Sequence, residues 1–161
     1  MQRACIAIVD AAHARLYCYE PGDSTEPALH EERDLVSPGR QAHGMFADHP
    51  ARAPGDNHGT KDDHRSDHLH ELDLRFAREV VGEIARLVHE RGLAHVIVVA
   101  SATMFGELRQ VDEPLRKDGF VLDEVHQDLA WLTPPQIHDH LAAMNLIEPR
   151  ARALPGGRRA P

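Results

Sequence analysis

"ACIAIVDAAHARLYCYE", residues 4–20, predicts the centre of the fold. Its first six residues are a continuous apolar run, which is typical of a strand buried on both faces of a sheet. A two-residue turn at Ala11–Ala12 would bring residues 13–20 back as an antiparallel partner. A second apolar run, "AHVIVVA" at residues 94–100, predicts another strand of the same kind. We therefore expect these two apolar strands to be neighbours in the middle of the sheet.

The remaining elements follow from hydrophobic spacing and from helix start and stop signals. A more polar strand is predicted at an edge near residues 29–36, and a long amphipathic helix ends before Gly92. Shorter helices follow Ser101 and Thr133, with a last strand at residues 120–128 between them. The order β-β-β-α-β-α-β-α predicts an α/β fold of ribonuclease H-like arrangement. It has a mixed five-stranded sheet, ordered 3-2-1-4-5, with helices on both faces.

The length and local composition predict one domain with two irregular segments. The chain has 161 residues, and a single α/β domain is expected over residues 1–147. Residues 37–60 are rich in proline and glycine and poor in large apolar side chains, which predicts a long mobile loop. Residues 148–161 are rich in proline, glycine and arginine, which predicts a disordered basic tail.

Charge and hydropathy exclude some functions and compartments. The net charge of −8 argues against a DNA-binding or membrane-binding surface. No apolar run reaches the roughly 20 residues of a membrane span, and the first apolar run is too short for a secretory signal. We therefore expect a cytoplasmic protein, while the sequence leaves its oligomeric state open.

Two predictions concern single side chains of the core. Cys5 and Cys18 would lie opposite each other across the first two strands, and a cross-strand disulfide or two reduced thiols would both fit. The expected cytoplasmic location favours reduced thiols. Trp131, which precedes Pro134, is predicted to lie in the core beneath the last helix.

"KDDHRSDHLHE", residues 61–71, contains three histidines and four carboxylates. His64 and His68 are four residues apart on one helix face, and with Asp67 they would suit zinc or another divalent transition metal. A metal-dependent hydrolase is therefore an alternative function. The other interpretation is a solvated helix start whose carboxylates stabilise the helix dipole. The absence of an HExxH or a Cys/His zinc motif from the sequence favours the helix start, with no cofactor.

Asp10, Ser101 and Thr103 form a second candidate site. They follow the two apolar strands, and the crevice at the carboxyl ends of such strands commonly binds ligands. A helix that begins at Ser101 would offer N–H groups to an anion. The alternative, which we favour for Asp10, is a hydrogen bond to the turn at residues 11–13. A two-metal nuclease is disfavoured because Ala100-Ser101-Ala102 offers no second carboxylate.

Four segments resemble one protein family. They are "IAIVDAAHARLYCYE", "HELDLRFAREVVGEIARL", "VIVVASATMFGELRQVDEPLRK" and "VHQDLAWLTPPQIHDHL", and they span the chain from about Cys5 to Leu141. Together they resemble the bacterial host attachment protein family ("protein required for attachment to host cells"). The resemblance implies a distant relation to the central domain of the eukaryotic and archaeal class-one release factors. In that domain a Gly-Gly-Gln loop enters the peptidyl-transferase centre of the ribosome.

The resemblance also implies a place for partner binding. The corresponding loop here carries Gly39-Arg40-Gln41 where release factors have Gly-Gly-Gln, so we do not expect peptide release. We expect a non-enzymatic, cytoplasmic and translation-associated binding module, whose partner is a protein or the ribosome and its RNA. The predicted contact lies at the start of the loop, at Gly39, Arg40, Gln41, His43 and Gly44.

Overall fold

The computed structural model describes residues 2–22, 29–40 and 59–150, and of residues 59–66 it describes the backbone alone. The strands are β1 (Ala4–Val9), β2 (His13–Tyr19), β3 (Leu29–Val36), β4 (His95–Ala100) and β5 (Val121–His126). The helices are α1 (Gly59–Arg91), α2 (Ala102–Val111), α3 (Glu113–Lys117) and α4 (Pro134–Ala143). A further helical turn lies at residues 38–40.

The five strands form one sheet in the order β3-β2-β1-β4-β5, which confirms the predicted topology. β1 pairs with β2 in antiparallel and with β4 in parallel orientation, and β5 continues the parallel part beside β4. β2 and β3 are antiparallel, with a shift of register between Leu16 and Tyr17. The two apolar strands are thus adjacent at the centre, as their burial on both faces requires.

Helices cover both faces of the sheet, as predicted. On one face, here the α1 face, α1, α2 and α3 pack against alternate residues of β1 and β4, including Cys5, Ala7 and Val98. On the other face, here the α4 face, Ile137 and Leu141 of α4 pack against the intervening residues of the same strands. Because side chains of a strand alternate between faces, β1 has no polar side and all six of its residues are buried.

β3 is a polar edge strand that is tied to α1. Its sequence "LHEERDLV" places several charged side chains at the edge of the sheet. Arg33 donates to Glu90 at 2.8 Å, and Glu32 accepts from Arg91 at 2.6 Å. The predicted polar edge is therefore correct, and its charges help to hold the carboxyl end of α1 against the sheet.

The two cysteines face each other in register across β1 and β2 and are free thiols. Burial raises the pKa of both thiols, and the neighbouring Cys18 adds to this effect at Cys5. Both groups therefore stay protonated at neutral pH, where a thiol is a poor nucleophile.

The prediction that Trp131 lies in the core was wrong. Its side chain is 76% exposed, while Leu129, two residues earlier, is buried. The indole N–H donates to the carbonyl oxygen of Asp128 at 3.2 Å, which holds the ring on the outside of the loop. Beneath α4 the core is filled by Ile137, Leu141 and Ile147.

The predicted mobile loop at residues 37–60 lies largely at 41–58, outside the described residues, as does the tail beyond residue 150. The predicted loop extends to residue 60, but α1 already begins at Gly59, so the helix starts slightly earlier than predicted. No helix within the described ranges is both long and apolar enough to cross a membrane.

α1 ends in a Schellman motif at Gly92. The backbone N–H of Leu93 donates to the carbonyl of Val88 at 2.9 Å, and that of Gly92 donates to His89 at 3.4 Å. Gly92 has φ of 62°, a conformation that favours glycine. Gly82, by contrast, lies in the middle of α1, and a Cβ built there meets nothing within 4 Å.

The two glycines are expected to respond to alanine in opposite directions. Gly82→Ala should raise the free energy of unfolding by about 0.5–1 kcal/mol, because alanine loses less backbone entropy in a helix. Gly92→Ala should lower it by about 1 kcal/mol, because a Cβ is strained at positive φ. Urea denaturation of both variants measures the two changes, and a stabilised Gly92→Ala variant would contradict this account of the helix end.

Tyr17 and Tyr19 of β2 are both buried on the α4 face but differ in hydrogen bonding. The Tyr19 hydroxyl accepts from the backbone N–H of Glu148 at 3.0 Å. The Tyr17 hydroxyl has no hydrogen-bond partner among the described residues. Burial raises the pKa of both hydroxyls, and the Arg15 guanidinium, 6.0 Å from the Tyr17 ring centroid, partly opposes that effect at Tyr17.

Removal of the hydroxyl should therefore change the free energy of unfolding differently at Tyr17 and at Tyr19. Tyr17→Phe is expected to leave the free energy of unfolding unchanged or to raise it, because it deletes an unpaired buried polar atom. Tyr19→Phe should lower it by about 1 kcal/mol, because the N–H of Glu148 loses its acceptor. Chemical denaturation provides the comparison, and equal losses in both variants would show that Tyr17 has a partner.

Candidate functional site

The predicted anion site and the described start of the predicted partner-binding segment lie near the same end of the sheet. β1, β4 and β5 run parallel, so their carboxyl ends lie together at one end of the sheet. This end of the sheet is here called the carboxyl edge, as distinct from the lateral edge that β3 forms. The turn at residues 10–13, the start of α2 and the loop at residues 127–133 follow these strand ends. β3 also ends there, because Val36 pairs with His13. In α/β sheets this is the edge at which ligands commonly bind.

Asp10 stabilises the turn between β1 and β2, as predicted. Its Oδ1 atom accepts from the backbone N–H groups of Ala12 at 2.7 Å and His13 at 2.6 Å. Its own N–H donates to the carbonyl of His13 at 2.8 Å. The carboxylate is therefore engaged in the turn and is held at the carboxyl edge.

Ser101 and Thr103 lie at the start of α2. The Ser101 Oγ atom accepts from the N–H of Met104 at 3.3 Å and caps the helix, as the sequence predicts. Thr103 is exposed in the first turn. Asp10 and Ser101 thus already accept hydrogen bonds from backbone N–H groups. The binding of an anion by Asp10, Ser101 and Thr103 remains a prediction.

The histidine-rich stretch at residues 61–71 lies on α1. Asp67 and His68 are exposed, whereas the side chain of His64 lies outside the described residues. Among the side chains that are described, no three histidine, cysteine or acidic residues are grouped to hold a metal ion. The metal site therefore stays a prediction. His70, which the helical spacing separates from His68, has its own partner in Glu107 of α2, with Nδ1 and Oε1 2.5 Å apart.

Arg40 forms a two-pronged ion pair with Asp73 of α1. Its Nε atom donates to Oδ1 at 2.8 Å and its Nη2 atom donates to Oδ2 at 2.7 Å. Asp73 is only 8% exposed, and its hydrogen bonds raise the pKa of Arg40 above the ordinary value. The pair fixes the predicted partner-binding segment to α1 at Arg40. Gln41, His43 and Gly44 lie outside the described residues.

Sequence reasoning did not identify Asp73. One signal was available, because Asp73 precedes Phe76, Ala77 and Val80 at the three- and four-residue spacing of the buried face of α1. A carboxylate on an apolar helix face requires a partner, since burial of an unpaired charge is costly. That rule predicts a buried cation beside Asp73 but does not say which one.

Gly39 and Ser37 fix the same segment to its surroundings. A Cβ at Gly39 would lie 2.6 Å from Cδ2 of Leu72, so a larger residue would displace the leucine. The N–H of Ser37 donates to the carbonyl of Ala12 at 2.8 Å, and its Oγ atom accepts from the N–H of Arg40 at 3.4 Å. Residues 37–40 therefore bridge the β1–β2 turn and α1.

A groove of about 210 Å³ lies beside these residues and is here called the Gly39 groove. Its floor is apolar, with Leu72 and Phe76 of α1, and its rim includes the exposed side chains of Arg75 and Glu79. Ser37, Pro38 and Gly39 complete the lining. A groove with an apolar floor and a charged rim has the composition of a small protein-interaction site.

Comparisons with known proteins identify a family and a structural neighbour. The model of a family described as "Protein required for attachment to host cells" matches residues 5–141. The solved structure of an archaeal translation termination factor, aRF1, is similar with a TM-score of 0.39 and 18% identity. That similarity covers 89% of this chain and 39% of the termination factor, and is too low to support an argument about function. No curated protein sequence matches the chain.

The Arg40–Asp73 pair should contribute measurably to stability. Arg40→Gln is expected to lower the free energy of unfolding by roughly 1–3 kcal/mol, because it leaves the Asp73 carboxylate without its cation. Arg150→Gln is a matched control, since Arg150 makes the same two-pronged bond to the exposed Asp139. The control should change stability by less than about 1 kcal/mol. Urea denaturation measures both, and equal losses would contradict the importance of burial at Asp73.

Proposed function

Because the chain belongs to the family described as "Protein required for attachment to host cells", we propose that it is a non-enzymatic binding module of the cytoplasm, with the ribosome as its partner. The Gly39 groove and the predicted partner-binding segment, which begins at Gly39, make the contact with the ribosome. The observation that carries this proposal is the Arg40–Asp73 pair, which fixes residues 37–40 against α1.

A fixed segment is suited to binding because less ordering entropy is lost when a partner arrives. Gly39 contacts Leu72 closely, Ser37 bonds to the β1–β2 turn, and Arg40 bonds to a buried carboxylate. These contacts serve to hold backbone in place. Binding residues commonly lie on loops that a rigid scaffold positions in this way.

The chemistry of the carboxyl edge supports a binding role over catalysis. Asp10 and Ser101 are the polar side chains that directly follow the two central strands β1 and β4. Both are engaged with backbone N–H groups, which a turn and a helix start require. A catalytic nucleophile or base instead needs a polar partner that activates it.

The ribosome is the first partner to test because of the sequence resemblance. The four quoted segments resemble a family distantly related to the release-factor central domain, and Gly39-Arg40-Gln41 lies where that domain has Gly-Gly-Gln. The net charge of −8 makes a general attraction to RNA unfavourable. The contact is therefore local, and its affinity should fall less steeply with salt than that of a basic RNA-binding protein.

Ribosome co-sedimentation of the full chain at moderate salt tests the proposal. The wild-type protein should pellet with ribosomes, and Arg75→Glu should weaken that binding at least tenfold, because Arg75 lies on the rim of the Gly39 groove. Arg78→Glu is the matched control, since it makes the same charge change at an exposed site of the same helix outside the groove. A wild-type protein that stays in the supernatant, or two variants with equal loss, would contradict the proposal.

A further inference from the structure

Trp131 is an exposed aromatic residue at the carboxyl edge, on the loop that joins β5 to α4. It is the single tryptophan of the chain and is 76% exposed. Isolated surface hydrophobic residues are common and need no explanation by themselves. The surroundings of Trp131 distinguish it, because its loop is braced by Arg15 and exposed carboxylates lie in the loop and opposite the brace.

Arg15 of β2 braces the loop on both sides of Trp131. Its Nη2 atom donates to the carbonyl oxygens of Ala130 at 2.7 Å and Leu132 at 3.1 Å. Within the loop, the N–H of Leu132 donates to Leu129 at 3.1 Å, and Leu129 is buried against the α4 face. The backbone on either side of the exposed ring is thus held in place by Arg15 and by the buried side chain of Leu129. A ring presented by an ordered loop loses little entropy on binding.

The indole offers a partner its aromatic face only. Its N–H group already donates to Asp128, so the polar atom of the side chain is engaged within the loop. An aromatic face attracts cations through its quadrupole, and arginine is the side chain most often found there. It can also stack on a nucleobase. The charge of the surroundings distinguishes these two ligands.

Exposed acidic side chains lie in the loop and opposite the residues of β2 that contact it, and one of them, Asp34, has its Oδ1 atom 3.9 Å from Nε2 of His13. Asp34 lies opposite Arg15 and Glu31 lies opposite Tyr17 in the register of β2 and β3, and both acidic residues are exposed. Asp128, in the loop itself, is exposed as well. The guanidinium of Arg15 is bonded to carbonyl oxygens and part-buried. A nucleic acid would bring phosphates towards these carboxylates, whereas a cationic side chain would be attracted by them.

We propose that Trp131 is the binding point for an arginine-bearing segment of a protein partner. The guanidinium stacks on the indole, and Glu31, Asp34 and Asp128 provide the complementary charge. The net charge of −8 agrees with a basic partner segment. This surface lies on the α4 side of the carboxyl edge, whereas the Gly39 groove contacts α1 on the other. The inference is therefore independent of the proposed function.

Hexa-arginine is the probe for this proposal, and the single tryptophan is the reporter. Titration with the peptide should change the tryptophan emission and reach saturation, while hexa-glutamate should leave it unchanged. Fluorescence anisotropy of labelled hexa-arginine then compares variants that lack the reporter. Trp131→Ala should bind about tenfold or more weakly, and Trp131→Phe should retain most of the affinity because it keeps an aromatic face.

Trp131→Ala leaves the net charge unchanged, so a general attraction of the peptide to an acidic protein would survive this substitution. Unchanged binding by Trp131→Ala would therefore overturn the proposal. Glu31→Gln combined with Asp34→Asn should weaken binding of the peptide as well. Tighter binding of oligouridylate than of hexa-arginine at Trp131 would also overturn the proposal, in favour of a nucleobase platform. Circular dichroism checks that each variant is folded. We expect it to be, because the substituted side chains are exposed.

Discussion

The parallel pairing of β1 with β4 is the constraint on which the rest of the structure depends. Both strands are buried on both faces, so helices must cover the sheet above and below. Parallel neighbours cannot be joined by a hairpin, and the chain returns to β4 through the long helix α1. That return places the amino-terminal half of α1 near the carboxyl edge, where Asp73 meets Arg40.

The sequence predicted those features that depend on local chemistry. Two apolar runs were enough to place β1 beside β4, and the strand order followed from connection rules. Asp10 in its turn and Ser101 at its helix start were predicted for the same reason, because each bonds to groups two or three residues away. Periodicity and capping rules describe interactions at such short separations.

The features that the sequence did not reveal depend on partners far along the chain. Arg40 and Asp73 are 33 residues apart, and Arg15 reaches carbonyl groups 115 and 117 residues away. Trp131 was placed in the core because it precedes Pro134 and the last helix, but Leu129 takes that position, and spacing alone does not distinguish the two in an irregular loop. Both surfaces at the carboxyl edge therefore rest on arginines whose roles only the folded chain shows.

The charged edge of the sheet has a consequence for how the protein behaves at high concentration. A sheet edge presents unpaired backbone groups to which another strand can add, and such addition leads to aggregates. The side chains of β3 oppose this, because Arg33 and Glu32 are already paired with α1 and their displacement would cost those bonds. An added strand would also have to desolvate the remaining charges of "LHEERDLV". The charges of β3 thus disfavour the growth of the sheet into fibres by strand addition at this edge.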